Sequence, residues 1–140
     1  MTDNKREEFL AGKRPEDVAF FLHEDAVSGI EALADKGERT DEGVVLVVPG
    51  DSGRSAFQSA TGIDPMGLAQ DAMGNESDVS RDLTGGACPE DDNHDARIVF
   101  AFAEEQNDDV DGLYNEGDVI HAYVACECGE RYSEKWLAGE

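Results

Sequence analysis

The sequence predicts an α+β domain in which N-terminal and central helices pack on a small sheet of three to four strands. The first observation is a run of five aliphatic residues at 44–48, typical of a strand buried on both faces. The second is the alternation of apolar residues over 97–104 and 119–125, which indicates two more strands. The third is the helical spacing of apolar residues on either side of the first run. A length of 140 residues fits a single domain, residues 1–140.

Two helices are predicted ahead of the first strand. Pro15 is a favoured first helical residue and two acids follow it, so the apolar stretch 18–22 is expected to form one side of a helix. A second helix is predicted over residues 24–36, with Gly37 as its C-terminal stop.

The middle of the chain is predicted to hold the central strand of the sheet and two helices. Strand 44–48 ends in a turn at residues 49–53, and a helix is expected over residues 54–61. Another helix is expected to begin after Asp64, because an aspartate cap followed by a proline is a strong start signal.

The last third of the chain is predicted to form a hairpin and one terminal element. Strands 97–104 and 119–125 are joined by a long acidic connection that contains glycine. Residues 132–137 are predicted as a short strand or helix that docks Trp136 on the core.

The chain is strongly acidic. It has 33 acidic and 11 basic residues, only four of them lysine, and its formal net charge is −22. Such a charge destabilises a compact state by self-repulsion in dilute buffer. At molar salt the Debye length falls to about 3 Å and the repulsion is screened. Because the acids are spread along the whole chain, we interpret them as an adaptation to the cytoplasm of a salt-accumulating halophile.

The composition also argues against several classes of partner. The chain has no cluster of lysine and arginine of the kind that phosphates require, so no nucleic acid is expected. No apolar run approaches the roughly 18 residues that span a membrane, and the N-terminus lacks the features of a secretory signal. We therefore expect a cytoplasmic protein with reduced cysteines.

The three cysteines form the sharpest chemical signal. Cys126 and Cys128 flank one residue and precede a glycine, which resembles a zinc knuckle with shortened spacing. Cys88 begins an upstream turn that ends at His94. Together Cys88, His94, Cys126 and Cys128 would complete a Cys₃His set, and such a closed set implies structural zinc. The alternative is that these are ordinary buried cysteines.

Strand geometry distinguishes the two candidate histidines. If strand 119–125 continues, Cys126 and Cys128 share a face with Val124, whereas His121 points to the opposite face. His94 lies in a predicted loop and is free to approach the cysteines. We therefore predict His94 as the fourth ligand.

A second candidate site is the loop of residues 49–55. Ser52, Gly53, Arg54 and Ser55 follow a buried strand and precede a predicted helix, so backbone amides, a helix dipole and one guanidinium could bind an anion. The loop lacks the lysine and the spacing of a P-loop. The alternative is a plain turn with Asp51 or Ser52 as the helix cap.

The window of residues 43–63 is unusually neutral, with Asp51 as its one acid and Arg54 as its one base. In a chain this acidic, the part from Arg54 to Thr61 could be a protein-binding surface that is kept uncharged. It could also be a helix that is packed between the sheet and its neighbours.

Three stretches carry a resemblance to a known group of proteins. They are Arg-Ser-Ala-Phe-Gln-Ser-Ala-Thr-Gly-Ile-Asp-Pro-Met at 54–66, Asp-Leu-Thr-Gly-Gly-Ala-Cys-Pro at 82–89 and Val-Phe-Ala-Phe-Ala-Glu-Glu-Gln-Asn at 99–107. The chain resembles a small uncharacterised protein family of halophilic archaea over nearly its whole length. The resemblance supports the halophile interpretation and implies no activity.

Two functional hypotheses follow from these features. The first is a non-enzymatic binding or adaptor domain, stabilised by zinc, that acts with an unidentified protein partner. The second is a binder of a phosphate-bearing small molecule, or an enzyme for one, that uses the loop of residues 49–55. Perturbed titratable groups around that loop would favour the second hypothesis.

Stability is expected to rise steeply with salt. Lowering KCl from molar to millimolar concentration exposes the self-repulsion of the acidic surface, so the melting temperature should fall. Thermal unfolding across a KCl series measures this, and a melting temperature independent of KCl would contradict the halophile interpretation.

Overall fold

A sheet of six strands forms the centre of the computed structural model, which describes residues 5–14, 16–26, 35, 37–40, 42–80, 83–86, 88–90, 96–105, 109 and 113–138. All neighbouring strands of this described sheet are antiparallel. In chain order the strands are β1 (Asp17–His23), β2 (Glu38–Arg39), β3 (Gly43–Pro49), β4 (Ala96–Glu104), β5 (Val119–Cys126) and β6 (Arg131–Leu137). Their order across the sheet is β2-β3-β1-β4-β5-β6.

The described helices are short and cover parts of both faces of the sheet. They are α1 (Lys5–Leu10), α2 (Gly50–Thr61), α3 (Pro65–Ala72) and α4 (Leu113–Glu116). On one face, Phe57 of α2 meets Phe20 and Phe100 edge-on, with ring centroids 5.5 and 4.9 Å apart. On the other face, Phe9 of α1 joins a second core cluster with Tyr132 and other buried side chains. The sheet is therefore the middle layer between two apolar cores.

The prediction of a three- to four-stranded sheet with N-terminal helices is wrong, although the fold is still α+β. The main error lies in residues 18–22, which form β1 and not a helix. β1 pairs with both β3 and β4, and every residue from Val18 to His23 is buried. A short apolar run buried on both faces has no periodicity that separates strand from helix, so the acids after Pro15 were a misleading signal. The helix predicted over 24–36 lies mostly outside the described residues.

The strand predicted at 44–48 is correct in its burial but not in its position. β3 is buried from Gly43 to Val47. It is second from the edge, because its outer neighbour β2 contributes only two residues. The central strands are β1 and β4. The predicted hairpin of β4 and β5 is present, and residues 132–137, which were predicted as a strand or a helix, lie in a strand.

The start of α3 is confirmed in atomic detail. The Asp64 side chain accepts a hydrogen bond from the Met66 backbone N–H at 3.2 Å, and Pro65 occupies the first helical position. By contrast, α2 begins at Gly50, four residues earlier than expected, with Pro49 as its N-cap. The predicted turn at 49–53 is thus mostly the first turn of the helix.

Two arginine ion pairs join elements that are distant in the chain. Arg6 of α1 pairs with Glu38 of β2 at 2.6 Å, and Arg131 of β6 pairs with Asp71 of α3 at 2.6 Å. An exposed ion pair contributes only about 0–1 kcal/mol. Each of these two pairs nevertheless reduces repulsion locally, because it places a positive charge where acidic segments meet.

Gly53 and Gly67 offer a matched test of how α2 packs on the sheet. A Cβ at Gly53 would overlap the Val18 side chain and lie 2.7 Å from Val48 Cγ2, whereas the nearest atom to a Cβ at Gly67 would be Asp64 Cβ at 3.8 Å. Gly53→Ala should therefore cost about 1–3 kcal/mol through overpacking against stiff valines. Gly67→Ala should stabilise by up to about 1 kcal/mol, the usual gain in a helix. Urea unfolding at molar KCl measures both, and equal effects would contradict this packing.

Candidate metal centre

Cys126 and Cys128 lie at the tight connection between β5 and β6. Cys126 is the last residue of β5 and is buried, and its N–H donates to the Glu130 carbonyl at 2.8 Å. The chain then turns at residues 127–129, where the Gly129 N–H donates back to the Cys126 carbonyl at 3.0 Å. Gly129 has a φ of 97°, a conformation that favours glycine, and the turn brings Cys128 back toward Cys126.

Cys88 reaches the same place from a segment that passes around the edge of β6. After α3, the Ser133 N–H donates to the Asn75 carbonyl at 3.0 Å and the Ser77 N–H donates to the Ser133 carbonyl at 3.1 Å. The Val79 N–H donates to Glu134 Oε1 at 2.7 Å. These bonds lead the chain along β6 from the helix-covered face to the opposite face, where Cys88 is buried. We call residues 73–79 the edge segment.

The three sulfurs form a compact cluster. All three Sγ atoms lie within 4.8 Å of one another, and Cys88 Sγ is 3.6 Å from Cys128 Sγ. Cys88 and Cys126 are buried, Cys128 is exposed, and none of the three is in a disulfide. Thiolates at about 2.3 Å from a tetrahedral metal would be about 3.8 Å apart, so this cluster could hold a metal ion.

Burial raises the pKa of the Cys126 thiol to about 12. Hydrogen bonding with the Cys128 backbone opposes this shift, and the neighbouring thiols of Cys88 and Cys128 add to it. Without a metal ion, the Cys126 thiol therefore keeps its proton at neutral pH. A metal ion reverses this preference, because its positive charge stabilises the thiolate that binds it.

Tyr132 contributes a buried polar atom beside the cluster. Its side chain is fully buried, and its hydroxyl has no hydrogen-bond partner among the described residues. Burial raises the pKa of Tyr132, and the charges of the three neighbouring cysteines raise it further. An unpartnered buried hydroxyl next to three sulfurs is compatible with a site that is completed by an ion.

The predictions for the two candidate histidines, His94 and His121, compare differently with the structure. His94 lies outside the described residues, so its role as the fourth ligand stays a prediction. His121 lies on the opposite face from Cys126, as its position in the strand predicted. It bonds Glu104 Oε1 through Nε2 at 3.1 Å and stacks on Phe102 with ring centroids 4.9 Å apart. Burial lowers the pKa of His121, and Glu104 opposes that shift.

The four residues predicted to bind an anion lie inside α2 and not in a loop before it. Gly53 is buried against the sheet, so it is not open to a ligand from the side of β1. The Ser52 hydroxyl donates to the Pro49 carbonyl at 3.3 Å, and Arg54 Nη1 lies 3.4 Å from the Gly50 carbonyl. Ser55 is exposed on the outer side of the helix. Anion binding at Ser52, Gly53, Arg54 and Ser55 stays a prediction.

Sequence reasoning missed a cleft on the helix-covered face. It has a volume of about 380 Å³ and is lined by His121 and Tyr123 of β5, Ser133 and Lys135 of β6, and Met73 after α3. The signal in the sequence was the shared parity of His121 and Tyr123 along β5. It could not be read as a cleft, because the β6 partners and the end of α3 come from other parts of the chain.

Fold and cluster together define a small α+β domain with a three-thiol centre that could bind metal. The chain belongs to DUF5807, a family of unknown function, which matches residues 37–139 and hence all three cysteines. No curated protein and no solved structure is significantly similar to the chain. Among the described residues, no helix has the length and apolar character needed to cross a membrane.

Proposed function

We propose that this chain is a non-enzymatic binding or adaptor domain that is stabilised by structural zinc. The observation that carries the zinc proposal is the convergence of three thiols from two separate segments, with all three sulfurs within 4.8 Å of one another. The habitat that fits the net charge of −22 is the cytoplasm of a salt-accumulating halophilic archaeon.

The chemistry of the ligands favours zinc over other ions. Thiolates are soft ligands that select zinc, copper(I) or iron–sulfur clusters, whereas calcium and magnesium prefer oxygen. Three cysteines with His94 as the fourth ligand make a Cys₃His set, which is a common structural zinc site. The spacing of the sulfurs supports a single ion of tetrahedral geometry.

A structural role follows from what the ion would connect. Cys88 follows a segment that pairs with β6 through Asn75 and Ser77, and Cys126 and Cys128 belong to the β5–β6 connection. Zinc would fix these two parts of the chain to each other, and its binding free energy would add to the free energy of folding.

The proposed protein-binding surface is the outer side of α2 and α3. Ser55, Ala56, Gln58 and Ser59 of α2 are exposed and uncharged. Met66 and Met73 are 60% and 64% exposed, the large apolar side chains that the described residues leave open to solvent. In a chain of this net charge, the uncharged residues of α2 and the exposed methionines are where another protein can approach with the least repulsion.

Zinc content tests the first half of this proposal. Protein purified at molar KCl without chelator should contain one zinc per chain by elemental analysis. Cys126→Ser and His94→Ala should lower the zinc content, whereas His121→Ala, the matched histidine on the opposite face, should not. Hydrogen exchange should quicken in residues 83–90 and 126–130 when zinc is removed.

The zinc proposal fails on one clear result. If wild-type protein contains far less than one zinc per chain and all three thiols titrate freely in the native state, then the cysteines are ordinary core residues.

Partner binding tests the second half. Ala56→Glu places a charge on the neutral surface of α2 and should weaken capture of a partner at high salt. Ala11→Glu makes the same change at an exposed alanine after α1, next to the opposite face of the sheet, and should leave capture unchanged. Quantitative affinity purification with the two variants measures this. Equal recovery of the same proteins with both would place the partner surface elsewhere.

A further inference from the structure

The hydroxyl of Tyr132 is a hydrogen-bond donor in the core without an acceptor among the described residues. Tyr132 is fully buried, and its hydroxyl oxygen has no hydrogen-bond partner among those residues. A buried hydroxyl that makes no hydrogen bond lowers stability, and native structures contain few of them. This hydroxyl therefore requires an explanation.

The register of the sheet places Tyr132 at the cysteine cluster. Tyr132 of β6 pairs with Val124 of β5. Cys126 lies two residues after Val124 on β5, so the Tyr132 ring and Cys126 lie on the same face of the sheet. The hydroxyl end of the ring lies against Gly86, where an added Cβ would be 2.8 Å from the hydroxyl oxygen. Gly86 precedes Cys88 by two residues. The hydroxyl is thus enclosed by the two segments that carry the sulfurs.

Metal binding changes what these sulfurs offer to a donor. A neutral thiol is a weak acceptor, whereas a thiolate bound to a metal keeps negative charge and accepts a hydrogen bond well. In known metal sites, such outer contacts orient the ligands and strengthen binding. Each thiol releases its proton to solvent when it binds the ion, and the tyrosine keeps its own.

We infer that Tyr132 is a positioning residue of the metal centre, whose hydroxyl donates a hydrogen bond to a metal-bound thiolate of the cluster Cys88, Cys126 and Cys128. This inference rests on the proposed zinc site. It gives an acceptor to a hydroxyl that has none among the described residues. Tyr132 would thereby link metal binding to the packing of β6.

Cobalt substitution tests this role with a spectroscopic signature. Tyr132→Phe removes only the hydroxyl, and Tyr123→Phe is the matched control on the neighbouring strand and the opposite face. Tyr132→Phe should weaken Co²⁺ and Zn²⁺ binding by about tenfold or more and shift the thiolate-to-cobalt charge-transfer band. Tyr123→Phe should leave the affinity and the band unchanged.

Unfolding of the two forms gives a second and independent readout. Without metal, Tyr132→Phe should be as stable as the wild type or more stable, because it removes an unpaired buried hydroxyl. With metal, the same variant should be less stable than the wild type. This reversal of sign is not expected of a tyrosine that only fills space.

The outcomes separate the two proposals. If wild-type protein binds neither ion, the zinc site fails and the donor role fails with it. If the wild type binds metal and Tyr132→Phe matches it in affinity, charge-transfer band and stability, only the donor role is overturned. A Tyr132→Phe variant that still binds cobalt, but with a lower coordination number than the wild type, would make the phenolate a ligand, which also overturns the donor role.

Discussion

Both faces of the sheet are buried, and this constraint requires the chain to pass from one face to the other. The helices α2 and α3 cover one face, and the chain must then leave it to supply apolar side chains to the opposite core. It does so around β6, where the edge segment exchanges backbone hydrogen bonds with Ser133. A strand presents its donors and acceptors at fixed spacing, so this pairing determines where the following residues arrive. The position of Cys88 at the end of β5 depends on that register.

Local signals in the sequence were sufficient to predict much of the fold. The start of α3 follows from Asp64 and Pro65 alone, because the cap and the proline act within one turn. The strands β4 and β5 follow from the alternation of their side chains. The strand β1 could not be obtained this way, since its burial comes from β3, β4 and both cores and leaves no polar side to mark a period. The six-stranded order depends on pairings between distant residues, which a single sequence does not display.

In the candidate site, too, some features could be predicted from local signals and others depend on residues that are distant in the chain. The strand parity that separates Cys126 from His121 is a local property, and it predicted their opposite faces correctly. The grouping of Cys88 with the other two cysteines was predicted from ligand chemistry, and the structure brings these three together. Tyr132 was predicted only as part of a terminal element, because its link to the sulfurs arises from the β5–β6 register and from the close approach of Gly86.

The edge segment has a consequence for how the protein behaves in a crowded solution. A sheet edge with unpaired N–H and C=O groups is a template for strands of other chains and a starting point for aggregation. At one edge, β2 is only two residues long and offers little to pair with. At the other, the edge segment already occupies the backbone of Ser133 in the middle of β6. The residues that lead Cys88 to its place also close the sheet against further strands.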